Sequence, residues 1–251
     1  MRATTYIGLV LGLGIVYAVV MAKGGDYTIF TNVIALAICL GGTFAATTLS
    51  SSKVTVIHVL SALSRLFVTA GVNAHLLADE MVQLARKART SGLASLNADE
   101  LKIKDGFLHK GLQLVADGVE AERIEQLLRL ESEILSERRR AAERMFRLMG
   151  TYSPMFGLVG TLIGLISMLK GLTDPRAIGQ GMSVALMATF YGVLLAGLIF
   201  LPLSGKIRTL DLDERVLRDQ MLAGLLGIRV GENPENIRET LEAFGSRRKH
   251  T

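Results

Sequence analysis

The side chains that could do chemistry in this 251-residue chain fall in an unusual place. Four long windows, 3–22, 27–52, 148–169 and 177–205, contain no Asp, Glu, Lys, Arg or His. Their polar groups are mainly hydroxyls and amides, among them Thr31, Asn32, Thr43, Thr47 and Thr48 in the second, Thr161 and Ser167 in the third, Ser183 and Thr189 in the fourth. A hydroxyl can order water, contribute one oxygen to a cation, or bond back to its own helix carbonyl. None of these groups takes up and releases a proton near neutral pH. Proton relays usually carry an ionisable residue within the membrane, so any ion passage along these windows borrows that residue from another chain.

Elsewhere the inventory for catalysis is thin. His58, His75, His109 and His250 are scattered without metal-ligand spacing, and the single Cys39 has neither a cysteine nor a histidine partner. No glycine-rich phosphate loop follows a strand pattern. These absences predict no enzyme, metal or cofactor. A net charge of +5 could suggest nucleic acid, but there is no Trp, only 5 Tyr, and no interleaving of aromatic with basic residues, so no nucleic-acid partner is expected.

The elements that must carry the hydroxyls follow from hydropathy. Half of the residues are hydrophobic, only 20% are charged, and the mean hydropathy of +0.40 is too high for an ordinary soluble domain. A helix needs roughly 20 apolar residues to cross the hydrocarbon layer, and each window meets that length. The reading is an all-α polytopic membrane protein. It has four transmembrane helices in two hairpins, a large helical cytoplasmic loop and a helical cytoplasmic tail. The expected divisions are 1–52 for the first hairpin, 53–147 for the loop, 148–205 for the second hairpin and 206–251 for the tail. The first window exceeds the signal-peptide core of about 7–15 residues, and another follows closely, so it reads as an uncleaved span.

Charge sets the orientation. With both termini in the cytoplasm, 25 of the 28 Lys and Arg face inward, leaving only Lys23, Lys170 and Arg176 outside. In the loop, Ile124, Leu127, Leu128, Ile134, Leu135, Met145 and Leu148 recur near helical spacing between charged residues, which predicts one long amphipathic helix running into the third span. Leu60, Leu63, Leu66, Leu76 and Leu77 predict an earlier helix, with breaks at Thr90-Ser-Gly92 and Asp105-Gly106. The tail reads as helix to about Leu226 and again from Pro234 to about Phe244. Gly8/Gly12, Gly160/Gly164 and Gly192/Ala196 have the small-x3-small spacing that lets membrane helices approach closely. Pro154 and Pro202, near the inner ends of their windows, either start a helix or open its hydrogen-bond ladder.

Three segments together carry a family resemblance. They are Ser153-Pro-Met-Phe-Gly-Leu-Val-Gly-Thr-Leu-Ile-Gly164, Asp174-Pro-Arg-Ala-Ile-Gly179, and Val184-Ala-Leu-Met-Ala-Thr-Phe-Tyr-Gly192 with Leu201-Pro202. They resemble the third and fourth spans of the MotA/PomA flagellar motor stator subunits of the MotA/TolQ/ExbB superfamily. The two-plus-two layout and the ending Gly231-Glu-Asn-Pro-Glu-Asn-Ile237 are similar to the same family. The resemblance implies a multi-pass subunit of the bacterial inner membrane. Several copies, expected to be five, would surround two copies of a MotB/PomB-like single-span partner, each carrying the essential aspartate. Proton or sodium influx would then drive torque on the flagellar rotor switch protein and hence motility and chemotaxis. Membrane lipid is the remaining contact.

Residue by residue, the resemblance puts Thr161 and Thr189 on the ion path and makes Pro154 and Pro202 the two functional prolines. Ala88-Arg89-Thr-Ser-Gly-Leu-Ala-Ser-Leu96 matches the rotor-contact stretch, with Arg89 as the basic contact and Arg86 and Lys87 beside it. Asn97 departs from the pattern, because that position is acidic in much of the family; Asp99 and Glu100 are the nearest substitutes. Ala188 stands where sodium-type relatives often have another threonine, which tilts the choice slightly toward protons. Two other readings stay open: an ExbB/TolQ-like energiser of an outer-membrane system, and a non-conducting membrane scaffold.

Overall fold

The computed structural model describes residues 2–22, 30–51, 74–97, 103 and 105–247, and every regular element among them is helical. In chain order these are α1 (Arg2–Ala22), α2 (Val33–Ser50), α3 (Ala74–Ser91), a 3₁₀ turn (Leu93–Leu96), α4 (Gly106–Ala116), α5 (Ala121–Lys170), α6 (Pro175–Leu194), a π stretch (Leu195–Phe200), α7 (Leu201–Val230) and α8 (Pro234–Arg247). Of these, α2, α5 and the run Pro175–Val230 are long and apolar enough to cross a membrane, judged by length and composition. The first window folds as α1, 21 residues long. Leu60, Leu63 and Leu66, together with Asp99 and Glu100, lie outside the described residues.

Local chemistry sets the helix ends. Asn32 caps α2 by accepting from the Ala35 N–H, and Asp105 caps α4 by accepting from Phe107 and Leu108. Asp174 caps α6 while Pro175 fills its first turn, where a missing N–H costs nothing. Helix α3 stops at Gly92, whose φ of 81° only glycine adopts without strain.

The chain divides into two compact units, Met1–Val68 with Arg140–Arg208, and Thr69–Arg139 with Thr209–Thr251. The second unit has an apolar core. Leu77 and Met81 of α3, Leu108 and Leu112 of α4, Ile124 and Leu128 of α5, Leu225 of α7, and Ile237 and Leu241 of α8 are all buried. Gly111 admits Leu225, and the Arg229 guanidinium donates to the carbonyls of Gly118 and Val119, closing the α4–α5 turn.

Beside this core lies a buried charge cluster that hydropathy does not announce. The Arg218 side chain, 7% exposed, donates to Ser132 (3.0 Å), Ser136 (2.8 Å) and Glu214 (3.4 Å) and faces Asp211 at 3.8 Å. Arg215 donates to Ser136 and pairs with Asp211, and Arg139 pairs with Glu214. Burial lowers the Arg218 pKa; Glu214 and Asp211 oppose that shift, and Arg139 and Arg215 add to it. The guanidinium nonetheless stays protonated at any physiological pH. Removing one partner of such a cluster strands the other charges, so Arg218→Met is expected to destabilise this unit by about 3–5 kcal/mol. Thermal unfolding of the purified protein in detergent checks this, and an unchanged midpoint would contradict it.

Candidate functional site

The first unit places Thr161 and Thr189 together because α5 and α6 touch backbone to backbone. A Cβ added at Gly164 would lie 2.6 Å from the Ala185 nitrogen and the Gly181 oxygen. One at Gly192 would lie 2.8 Å from the Ser153 oxygen and 3.0 Å from the Gly157 Cα. Between these two contacts Gly160 meets the Ala188 methyl. The expected small-residue spacing at 160/164 is therefore one side of a continuous seam, while Gly8 of the first window has nothing within 4 Å.

The seam fixes the hydroxyls. Thr161 follows Gly160 and Thr189 follows Ala188, so they share one depth. In an antiparallel pair the residue after each contact turns about 100° toward the same side of the seam. Neighbours on those faces, Leu158, Leu165, Leu186 and Val193, are exposed apolar side chains. Each threonine donates to its own helix, Thr161 to the Leu158 carbonyl (2.6 Å) and Thr189 to the Ala185 carbonyl (3.5 Å). With its hydrogen committed to the backbone, the Thr161 oxygen turns lone pairs outward, while the longer Thr189 contact holds that hydroxyl only weakly. That suits a cation or the hydrogens of water. Among the described residues no cluster of three His, Cys, Asp or Glu could hold a metal.

Both prolines fall inside continuous helical runs. Pro154 sits within α5, and Gly150, whose carbonyl its missing N–H leaves free, packs against Leu201. Pro202 follows the π stretch, in which the Leu201 N–H reaches the Ala196 carbonyl five residues back. A proline ring strikes the carbonyl four residues before it, and the wider π turn relieves that clash. Of the two options for the prolines, the opened ladder is the one observed.

Sequence reasoning missed the side chains that hold α6. The Tyr191 hydroxyl donates to the Phe30 carbonyl and accepts from the Asn32 N–H at 3.0 Å, while the Asn32 amide donates to Ser183 at 3.3 Å. Ser153 donates to the Gly192 carbonyl (3.0 Å), and the buried Cys39 thiol donates to the Ala188 carbonyl (3.1 Å). Asn32 and Ser183 were visible as polar groups in apolar windows; nothing in the spacing paired them with Tyr191. In the second unit, Arg86 pairs with Glu235 at 3.0 Å, and Arg89 is exposed in the last turn of α3. The structure groups Arg86, Lys87 and Arg89 on one helix end.

Two expectations follow from this geometry. Gly164→Ala and Gly181→Ala force backbone apart and should abolish stable folding in detergent, whereas Gly179→Ala, with nothing within 4 Å, should be neutral; equal size-exclusion profiles for all three would contradict the seam. Tyr191→Phe leaves a donor and an acceptor unpaired and should lower stability by about 1–2 kcal/mol, read as a drop in the melting temperature.

The comparisons with known proteins agree with one another. Residues 99–219 match the MotA/TolQ/ExbB proton channel family. The chain is 35% identical to the uncharacterized protein YtxD of Bacillus subtilis, over 97% of this chain and 90% of that one. It is 32% identical to motility protein A of Borreliella burgdorferi, over 97% and 94%. Its fold superposes on a chain of the C. jejuni MotAB structure with a TM-score of 0.88 and 26% identity, covering 97% and 96%. On this sequence and fold similarity, the chain belongs to the MotA/TolQ/ExbB proton channel family, whose members are channel proteins rather than enzymes.

Proposed function

We propose that this chain is a flagellar stator subunit of the MotA/PomA type that couples ion influx to torque. The observation carrying this reading is a pairing of opposites. The α5–α6 face offers two hydroxyls at one depth, and the windows around them hold no ionisable side chain. A conducting path there needs a titrating carboxylate on a second chain. In this reading a MotB-like single-span partner supplies it, several copies of the present chain, taken as five, surround that partner, and the exposed apolar side chains of α5 and α6 pack against it.

Four spans with both termini in the cytoplasm fit this assembly, with α1 and α2 as the first hairpin and the 53–147 and 206–251 segments facing the rotor. Thr161 and Thr189 organise water or ligate the ion. Pro154 and Pro202 keep backbone carbonyls unpaired at the inner end of the pair. Arg86, Lys87 and Arg89, with Asp99 and Glu100 nearby in sequence, form the contact to the rotor switch protein. The coupling ion is a proton: a sodium ion needs several oxygens to replace its hydration shell, and Ala188 adds none.

The test is the swimming speed of cells that have this chain and its cognate partner as their only stator, across external sodium at fixed pH and then with a protonophore. Speed indifferent to sodium and abolished by the protonophore is the expected result. Speed that tracks sodium and survives the protonophore would reverse the ion assignment, and no motility with the pair correctly inserted would favour an ExbB/TolQ-like energiser. Thr161→Ala and Thr189→Ala should each lower torque severalfold with assembly intact; full torque from both removes them from the path.

A further inference from the structure

We propose that Glu235 of α8 is an internal stand-in for the carboxylate of a partner that docks at the end of α3. This rests on the reading of α3 as the rotor-contact helix and adds to it a competing residue that contact did not include.

Helix α8 lies along α3 through two ion pairs. Arg86 pairs with Glu235 at 3.0 Å and Asp79 with Arg238 at 3.0 Å, so numbers rise along one helix as they fall along the other and the two run antiparallel. Arg238 also stands 3.7 Å from Glu235, which links the four charges as Asp79, Arg238, Glu235 and Arg86. Their base is firm. Ile237 and Leu241 are buried in the core shared with Leu77 and Met81, Gln220 donates to the Leu241 carbonyl at 3.0 Å, and Gly231, at φ 78°, turns the chain into α8.

The row of four sums to zero charge. The excess lies immediately beyond Arg86, where Lys87 and Arg89 make no ion pair among the described residues and Arg89 is exposed. Among the described residues that end of α3 is therefore locally cationic and complements an acidic surface. An arriving carboxylate finds Arg89 exposed and Lys87 half-buried, both without an ion-pair partner among the described residues, but reaches Arg86 only by displacing Glu235. Displacement does not orphan Glu235, because Arg238 remains beside it. Glu235 thus weakens docking without blocking it, by the two- to fivefold that an exposed ion pair of this kind is worth.

The experiment measures the dwell time of fluorescently tagged stator units at the motor, in cells with this chain and its cognate partner as the only stator. Arg89→Gln should shorten dwell. Glu235→Gln should lengthen it about two- to fivefold and recover part of the Arg89→Gln loss, and the gain should vanish in Glu235→Gln/Arg86→Gln because it acts through Arg86. Melting temperatures equal to the parent confirm that α8 stays docked. If Glu235→Gln leaves dwell unchanged or shortens it with the fold intact, the stand-in role is wrong while the rotor contact stands. If Arg86→Gln and Arg89→Gln both leave dwell unchanged, the rotor contact is wrong and this inference falls with it.

Discussion

Two helices in hydrocarbon gain little by burying leucine against each other, since lipid is as apolar as leucine. Their pairing depends on how closely the backbones can approach. The contact of α5 with α6 through Gly157, Gly160, Gly164, Gly181 and Gly192 is therefore the constraint on which the rest of the first unit hangs. It sets the common depth of Thr161 and Thr189, brings the Ser153 hydroxyl to the Gly192 carbonyl, and lays Gly150, the residue whose carbonyl Pro154 frees, against Leu201 beside Pro202. Cys39 and Tyr191 secure the opposite flank of α6 to α2 and to residues 30–32 just before it through three further hydrogen bonds.

The chain separates its polar chemistry sharply. Its apolar windows keep hydroxyls and amides but no charge, and its second unit buries Arg218 against Asp211 and Glu214. In the proposed stator this division has a mechanical sense. One charge crossing 100 mV releases only about 2.3 kcal/mol, comparable to a few packing contacts or hydrogen bonds. A tightly seated α5–α6 pair can pass a step of that size on, whereas a loosely packed pair would dissipate it in rearranged side chains.

Much of this was legible in the sequence, and the reason is physical. A bilayer demands long uncharged runs, so α2 and the apolar parts of α5 and α6 follow from counting charges. Helix ends were legible where a residue has one local job, as at Asp105 and Gly92. The family resemblance named Thr161, Thr189 and the prolines, and the structure places the two threonines on one face. What stayed hidden depends on partners distant in sequence. Nothing local links Tyr191 to Phe30, Arg218 to Ser132 or Arg86 to Glu235, and solvated and buried arginines look alike along a helix with mixed charges. The π stretch was hidden too, because Pro202 signals a broken ladder without saying how the backbone absorbs the break.

In the proposed stator this chain lines an ion path whose titrating group belongs to a second chain. Ion flux into liposomes measures this directly, comparing the chain alone, the chain with its cognate single-span partner, and the chain with that partner's membrane aspartate replaced by asparagine. Flux only with the unmodified partner, and loss of it on the aspartate substitution, is the predicted result. Flux through the chain alone, or flux that survives the aspartate substitution, would contradict the account.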